Sequence, residues 1–180
     1  MNIKTIKVGS LETNCYLIIK DNKCIIVDPG DEFGKIGSII KNLELTPILI
    51  FVTHYHFDHI GALKECVDKY NVKVYDYKDY ESDDKKYINN NFEFKIICTK
   101  GHKEDSVTYY FPNEKIMFVG DFIFKNTVGR CDLDDGDFNI MLESIKKIKT
   151  YPNDITIYPG HDEITNLKNE IENNEYFKII

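Results

Sequence analysis

Thr53-His54-Tyr55-His56-Phe57-Asp58-His59-Ile60-Gly61 sets three histidines and an aspartate within six positions, and its flanks decide how the chain is built. Before it runs Pro47-Ile48-Leu49-Ile50-Phe51-Val52, an apolar, β-rich stretch that predicts a buried strand. After it, Ile60, Leu63, Cys66, Val67 and Tyr70 fall on one stripe of a helix. Strand, loop and amphipathic helix in succession predict a mixed α/β arrangement in which the loop leaves a strand end and His59 sits at the start of the helix. Imidazole and carboxylate are good donors to divalent metals. Spacing this short lets His54, His56, Asp58 and His59 converge on one or two ions. A lone histidine reads as a loop or hydrogen-bonded core residue, but four such residues packed together read as a metal cluster.

The chain has only two other histidines, each in a Gly-His step after a predicted strand: Gly101-His102 beyond Cys98, and Gly160-His161 beyond Tyr158. Glycine lets the backbone turn sharply and present the next side chain. Asp121 follows the apolar run Ile116–Gly120 in the same manner. Four strand ends would then deliver ligands to one edge, leaving no histidine unassigned.

Further outward, period-two or apolar runs predict strands at 3–8, 15–20, 24–28, 47–53, 72–76, 92–98, 106–111, 115–120 and 155–158. Helical stripes join Phe33, Ile36, Ile39, Ile40 and Leu43, and again Phe138, Met141, Leu142, Ile145 and Ile148, the latter capped by Asp137 and ended before Pro152. A last helix is expected from about Ile164 to Asn174, burying Ile164, Leu167 and Ile171. No segment reads as a linker, so residues 1–180 are expected to form a single α/β (α+β) domain.

Composition narrows the function. With 30 acidic against 23 basic residues the net charge is −7, which repels phosphate backbones, and no basic patch overrides it; nucleic acid is not an expected partner. The longest apolar runs fall far short of the roughly 20 residues that cross a bilayer, so no membrane partner is expected. Met1–Val8 alternates like a first strand and is not patterned as an export signal. Five cysteines without a C-x-x-C pair do not suggest a disulfide framework, and a reducing cytoplasm is the expected location.

His54-x-His56-x-Asp58-His59, then His102, Asp121 and His161 in that order, resembles the metallo-β-lactamase superfamily over essentially the whole chain. Gly120-Asp121-Phe122-Ile123-Phe124 followed by Gly129-Arg130-Cys131-Asp132 is similar to its small glyoxalase II-like (hydroxyacylglutathione hydrolase-like) members. The resemblance implies a four-layer αββα sandwich. It also implies two divalent ions, zinc with iron or manganese as alternatives: His54, His56 and His102 for the first, Asp58, His59 and His161 for the second, Asp121 bridging. Asp28, in Val27-Asp28-Pro29-Gly30, stands where the family supports the ligand shell; locally it reads equally as a turn aspartate. Lys103-Glu104-Asp105 replaces the family's common Thr-Pro-Gly after the histidine, so the adjoining loop differs in shape and charge. The short segment after His161 lacks the C-terminal glutathione-binding domain of glyoxalase II, so glutathione specificity is not implied.

The expected activity is a metal-dependent hydrolase acting on a small-molecule thioester or related ester, with a metal-bound hydroxide as nucleophile and Asp58 as the catalytic residue that orients it. A thiolate leaves without protonation, since its thiol pKa is near 8.5. β-Lactam hydrolysis fits less well: the resemblance commonly puts cysteine at the position of Asp121 in exported drug-hydrolysing members. A mononuclear-iron persulfide dioxygenase and a lactone hydrolase are the enzymatic alternatives, and a non-catalytic metal-binding module is the third. Arg130 and Asp132 read as a structural ion pair, Tyr55 as a wall of the site, and Cys131 as a thiol with no spare histidine to activate it.

Overall fold

The β-branched and apolar runs become strands where their periodicity puts them. The computed structural model describes residues 1–180 as two units, Met1–Lys78 and Asp79–Ile180. In the first unit, β1 (Asn2–Val8), β2 (Thr13–Lys20), β3 (Lys23–Val27), β4 (Thr46–Phe51) and β5 (Lys73–Tyr75) form one sheet in that order. The β1–β2 and β2–β3 pairs are antiparallel; β3–β4 and β4–β5 are parallel. The parallel pairs need crossovers, and helices supply them.

The first crossover is α1 (Phe33–Asn42). Ile36 and Ile40, one turn apart, are buried against Leu17, Cys24, Ile26 and Ile50 of the sheet, each worth about 1.5–3 kcal/mol. Leu43, expected on the same stripe, is 48% exposed, because the helix has ended and Leu43 is its C-cap. The second crossover divides into α2 (Phe57–Ile60) and α3 (Leu63–Tyr70) around Gly61 and Ala62. The alternate residues Tyr16, Ile18, Ile25, Leu49 and Phe51 are buried as well, so both faces of this sheet are covered, as parallel strands require.

The second unit holds a six-stranded sheet of β6 (Lys86–Asn89), β7 (Phe92–Cys98), β8 (Val107–Phe111), β9 (Ile116–Gly120), β12 (Thr156–Pro159) and β13 (Thr165–Asn166) in the spatial order β13-β12-β9-β8-β7-β6. A separate small hairpin pairs β10 (Ile123–Phe124) with β11 (Thr127–Val128). The β9–β12 pair is parallel, joined through α4 (Phe138–Ile148). Asp137 caps α4 as expected, accepting from Asn139 N at 2.8 Å and Ile140 N at 3.1 Å, a contact worth about 1 kcal/mol. Met141, Ile145 and Ile148 pack on Met117, Val119, Ile155 and Ile157.

The C-terminal expectation needs correction. Thr165 pairs with Ile157, so 165–166 is a strand, Ile164 is 46% exposed, and the helix begins only at Leu167. The cause is local: the Asn166 side chain accepts from Asn169 N at 2.9 Å and fixes the helix start there. The segment then forms α5 (Leu167–Asn173) and α6 (Glu175–Lys178). No helix is long and apolar enough to cross a membrane.

Candidate functional site

Both units use one device, with the chemistry-bearing residues at the carboxyl ends of adjacent parallel strands. In the first unit these are β3 and β4, which lead into Asp28 and Thr53-His54. In the second they are β9 and β12, which lead into Asp121 and Gly160-His161, tied by Gly160 N donating to Gly120 O at 2.8 Å.

The 54–59 loop draws its four candidate ligands together. His54 Nε2 lies 3.1 Å from His56 Nδ1, the His54 and His59 ring centroids are 4.1 Å apart, and His59 Nε2 lies 3.5 Å from Asp58 Oδ2. Behind them stands Asp28, buried and in left-handed backbone with φ 47°. Its carboxylate accepts from Thr53 N at 2.8 Å and from Thr53 Oγ1 at 2.6 Å, and faces His59 Nδ1 at 2.9 Å. The turn aspartate and the supporting aspartate of the sequence reading are thus the same residue.

This wiring sets the tautomers of the neutral rings. Thr53 Oγ1 gives its one proton to Asp28, so its 3.1 Å contact with His54 Nδ1 makes that nitrogen the donor. A carboxylate only accepts, so His59 Nδ1 also carries its hydrogen. In both rings Nε2 keeps a lone pair. Sequence reasoning missed Thr13, whose hydroxyl donates to Asp58 Oδ2 at 2.9 Å and leaves no signal in local spacing.

In the second unit, Asp121 Oδ2 stands between two imidazoles, 3.7 Å from His102 Nε2 and 3.5 Å from His161 Nε2. His102 Nδ1 lies 2.7 Å from the Arg130 carbonyl; a carbonyl only accepts, so here again Nε2 presents the lone pair. Gly101 has φ 135°, and a Cβ there would come within 2.4 Å of Met141 Cα, so the turn into His102 requires glycine. These three residues, with Phe124, Gly129, Arg130 and Asp162, line a recess of about 330 Å³.

Two ligands each about 2.0–2.1 Å from a tetrahedral ion stand about 3.3 Å apart. The 3.1–3.7 Å donor spacings in the two clusters fit that, and the all-nitrogen-and-oxygen donor set suits zinc, iron or manganese. Pinning the outer imidazole nitrogen to a carboxylate, hydroxyl or carbonyl is how metal-ligating histidines are held.

The sequence matches the Metallo-beta-lactamase superfamily over residues 8–86 and 81–161. The chain belongs to the metallo-beta-lactamase superfamily. Among its superfamily relatives, the probable metallo-hydrolase YqgX of Bacillus subtilis (strain 168) is 32% identical over 98% of this chain and 97% of its own. The hydroxyacylglutathione hydrolase GloC of Haemophilus influenzae is 28% identical, with 98% of each chain covered. Among solved superfamily structures, BLEG-1 B3 metallo-beta-lactamase superposes with a TM-score of 0.91 at 29% identity, covering 98% of this chain and 99% of its own. The mixed α/β fold is therefore that of the superfamily, and its similar relatives include probable metallo-hydrolases and hydroxyacylglutathione hydrolases.

Other residues singled out in this superfamily chain take structural places. Arg130 Nε and Nη2 donate to Asp132 Oδ1 and Oδ2, both at 2.8 Å, in an exposed bidentate pair. That contact holds the Asp132 carboxyl down at about 2. The Tyr55 hydroxyl donates to Asp76 Oδ2 at 2.5 Å, which ties the ligand loop to the segment after β5. Burial raises the Cys131 thiol, opposite to what a nucleophile needs.

Proposed function

We propose that residues 1–180 act as one hydrolase domain in which the two clusters share a binuclear centre. In this reading His54, His56 and His102 hold one ion, Asp58, His59 and His161 hold the second, and Asp121 bridges them, with zinc as the resident metal. The observation that carries it is the tautomer wiring: His54, His59 and His102 each have Nδ1 committed to an acceptor, leaving Nε2 as a metal donor.

When bound, such ions polarise a carbonyl oxygen and lower the pKa of coordinated water to about 7. The protein's own part is orientation. Thr13 fixes the Asp58 carboxylate, and Asp58 is assigned the alignment of the attacking hydroxide. With the histidines committed to the ions, no group remains to protonate a poor leaving group, which favours a thiolate, whose conjugate thiol has a pKa near 8.5. The hydroxyacylglutathione hydrolase GloC, similar over nearly its whole length, supports a hydroxyacyl thioester as substrate class. Five free cysteines suit a reducing compartment, and we place the enzyme in the cytoplasm.

The test is metal analysis of protein purified without added metal, coupled to assays of a hydroxyacyl thioester, a lactone, a β-lactam and a persulfide. Two ions per chain with thioester turnover supports the reading. One iron with oxygen consumption on persulfide replaces it with a dioxygenase; preference for the lactone or the lactam reassigns the substrate; metal without turnover makes the chain a binding module.

A further inference from the structure

Glu170 lies on α5, where its charge reads as one more solvated helix position, yet it is fully buried. A carboxylate out of water must be matched by donors, and four reach it. Thr165 Oγ1 at 2.6 Å and Asn169 Nδ2 at 2.7 Å donate to Oε1. Asn126 N at 2.9 Å and Asn174 Nδ2 at 2.8 Å donate to Oε2.

Asn126 is the significant donor. It is the second turn residue of the β10–β11 hairpin, with φ 64°, and its side chain is also held, accepting from Asn169 Nδ2 at 2.9 Å. Asn174 adds a second grip, donating to Thr127 O at 2.9 Å. The hairpin tip is therefore clamped by the C-terminal segment through one buried carboxylate.

The arms of that hairpin reach all three candidate ligands of the second unit. Asp121 stands two residues before it. Gly129, just beyond β11, lies flat against Asp121: a Cβ there would be 1.8 Å from Asp121 O and 3.1 Å from His102 Nδ1. The next residue, Arg130, supplies the carbonyl that orients His102. On the other arm, the Phe124 ring meets the His161 ring edge-on with centroids 6.1 Å apart.

We infer that Glu170 is a positioning residue for the metal centre, acting through the β10–β11 hairpin on Asp121, His102 and His161. This rests on the metal-site reading above. An amide in place of the Glu170 carboxylate keeps one accepting oxygen and turns an NH2 toward two of the four donors, so the clamp on the hairpin tip loosens, and a tip that moves carries the Arg130 carbonyl and Phe124 with it. Hydrogen-bonded supports of this kind are typically worth about 10- to 100-fold in metal affinity.

The test is cobalt(II) titration of the metal-free full chain, read by the visible absorption of the bound ion and by competition with a chelator, with near-ultraviolet circular dichroism to verify the fold. Glu170→Gln is expected to stay folded, bind cobalt about 10- to 100-fold more weakly and change the absorption pattern. Thr165→Val, which removes one donor and keeps the charge, should move both readouts the same way by less. Glu172→Gln, an exposed change on the same helix, should leave both unchanged. If Glu170→Gln fails to fold, Thr165→Val and Asn174→Ala decide. Folded variants with wild-type affinity and spectrum overturn the inference. A wild-type chain that takes up no cobalt removes the metal centre itself, and this inference with it.

Discussion

Asp28 and His59 meet at 2.9 Å, carboxylate to Nδ1, with both side chains sealed from solvent. The same carboxylate holds the backbone and hydroxyl of Thr53, so one residue at the end of β3 orients both His54 and His59. Asp28→Asn keeps the shape but turns one accepting oxygen into a donor that faces groups with hydrogens to give. It should lose about 2 kcal/mol of stability and about 10- to 100-fold in metal affinity, measured by thermal unfolding and chelator competition. Unchanged affinity would remove Asp28 from the support of the site.

Thr13 makes a narrower prediction. Thr13→Val is close in volume and removes only the 2.9 Å hydrogen bond to Asp58. Turnover should fall about tenfold with KM little changed and the fold intact, because the bond orients a carboxylate without building a substrate surface. Steady-state kinetics on whichever substrate the assays above identify checks it; a change confined to KM would contradict the assigned role.

Buried thiols predict how stability depends on pH. Burial pushes Cys24 and Cys66 up to about 12 from the ordinary 9.0 and raises Cys15 well above that ordinary value too, with Cys66, Asp28 and Cys24 adding to it. The unfolded chain releases these protons first, so their contribution is complete below pH 9 and is lost progressively between about 9 and 12. Denaturant titrations from pH 8 to 10.5 should show falling stability, and Cys24→Ala with Cys66→Ala a shallower fall from a lower start. A thiol reagent at pH 8 should leave these three unmodified in the native chain and reach all five cysteines in the unfolded one.

Two glycines should behave oppositely on replacement by alanine. Gly34, in α1, has open space where a Cβ would go, and alanine should stabilise the protein by about 0.5–1 kcal/mol. At Gly129 the added carbon would meet Asp121 O at 1.8 Å; the backbone must shift, pulling the Arg130 carbonyl from His102. Metal content after dialysis should be unchanged in the first variant and sharply reduced in the second.

Much of this was legible in the sequence, for identifiable reasons. Strands such as β2, β4, β7 and β9 are long and apolar enough to carry their period, and the dense 54–59 loop announced its chemistry. Strand β6 was missed because Lys86-Tyr87-Ile88-Asn89 sits among charges and leaves Ile88 75% exposed; β10, β11 and β13 were missed because two residues cannot display alternation. Ile164, Leu167 and Ile171 share helical spacing, yet the pairing of Thr165 with Ile157 overrides it. Thr13 and Glu170 act across 45 and 44 residues respectively, a separation that no local pattern encodes.

The clamp on the β10–β11 hairpin also sets an order of events during biosynthesis. The first cluster and its supports all lie upstream of residue 60, so that unit can mature while translation continues. The second cannot lock until Glu170 and Asn174, which grip Asn126 and Thr127 from 44 and 47 residues further on, have been made. A nascent polypeptide stalled between His161 and Glu170 would carry all three candidate ligands of the second unit without the clamp that holds its hairpin.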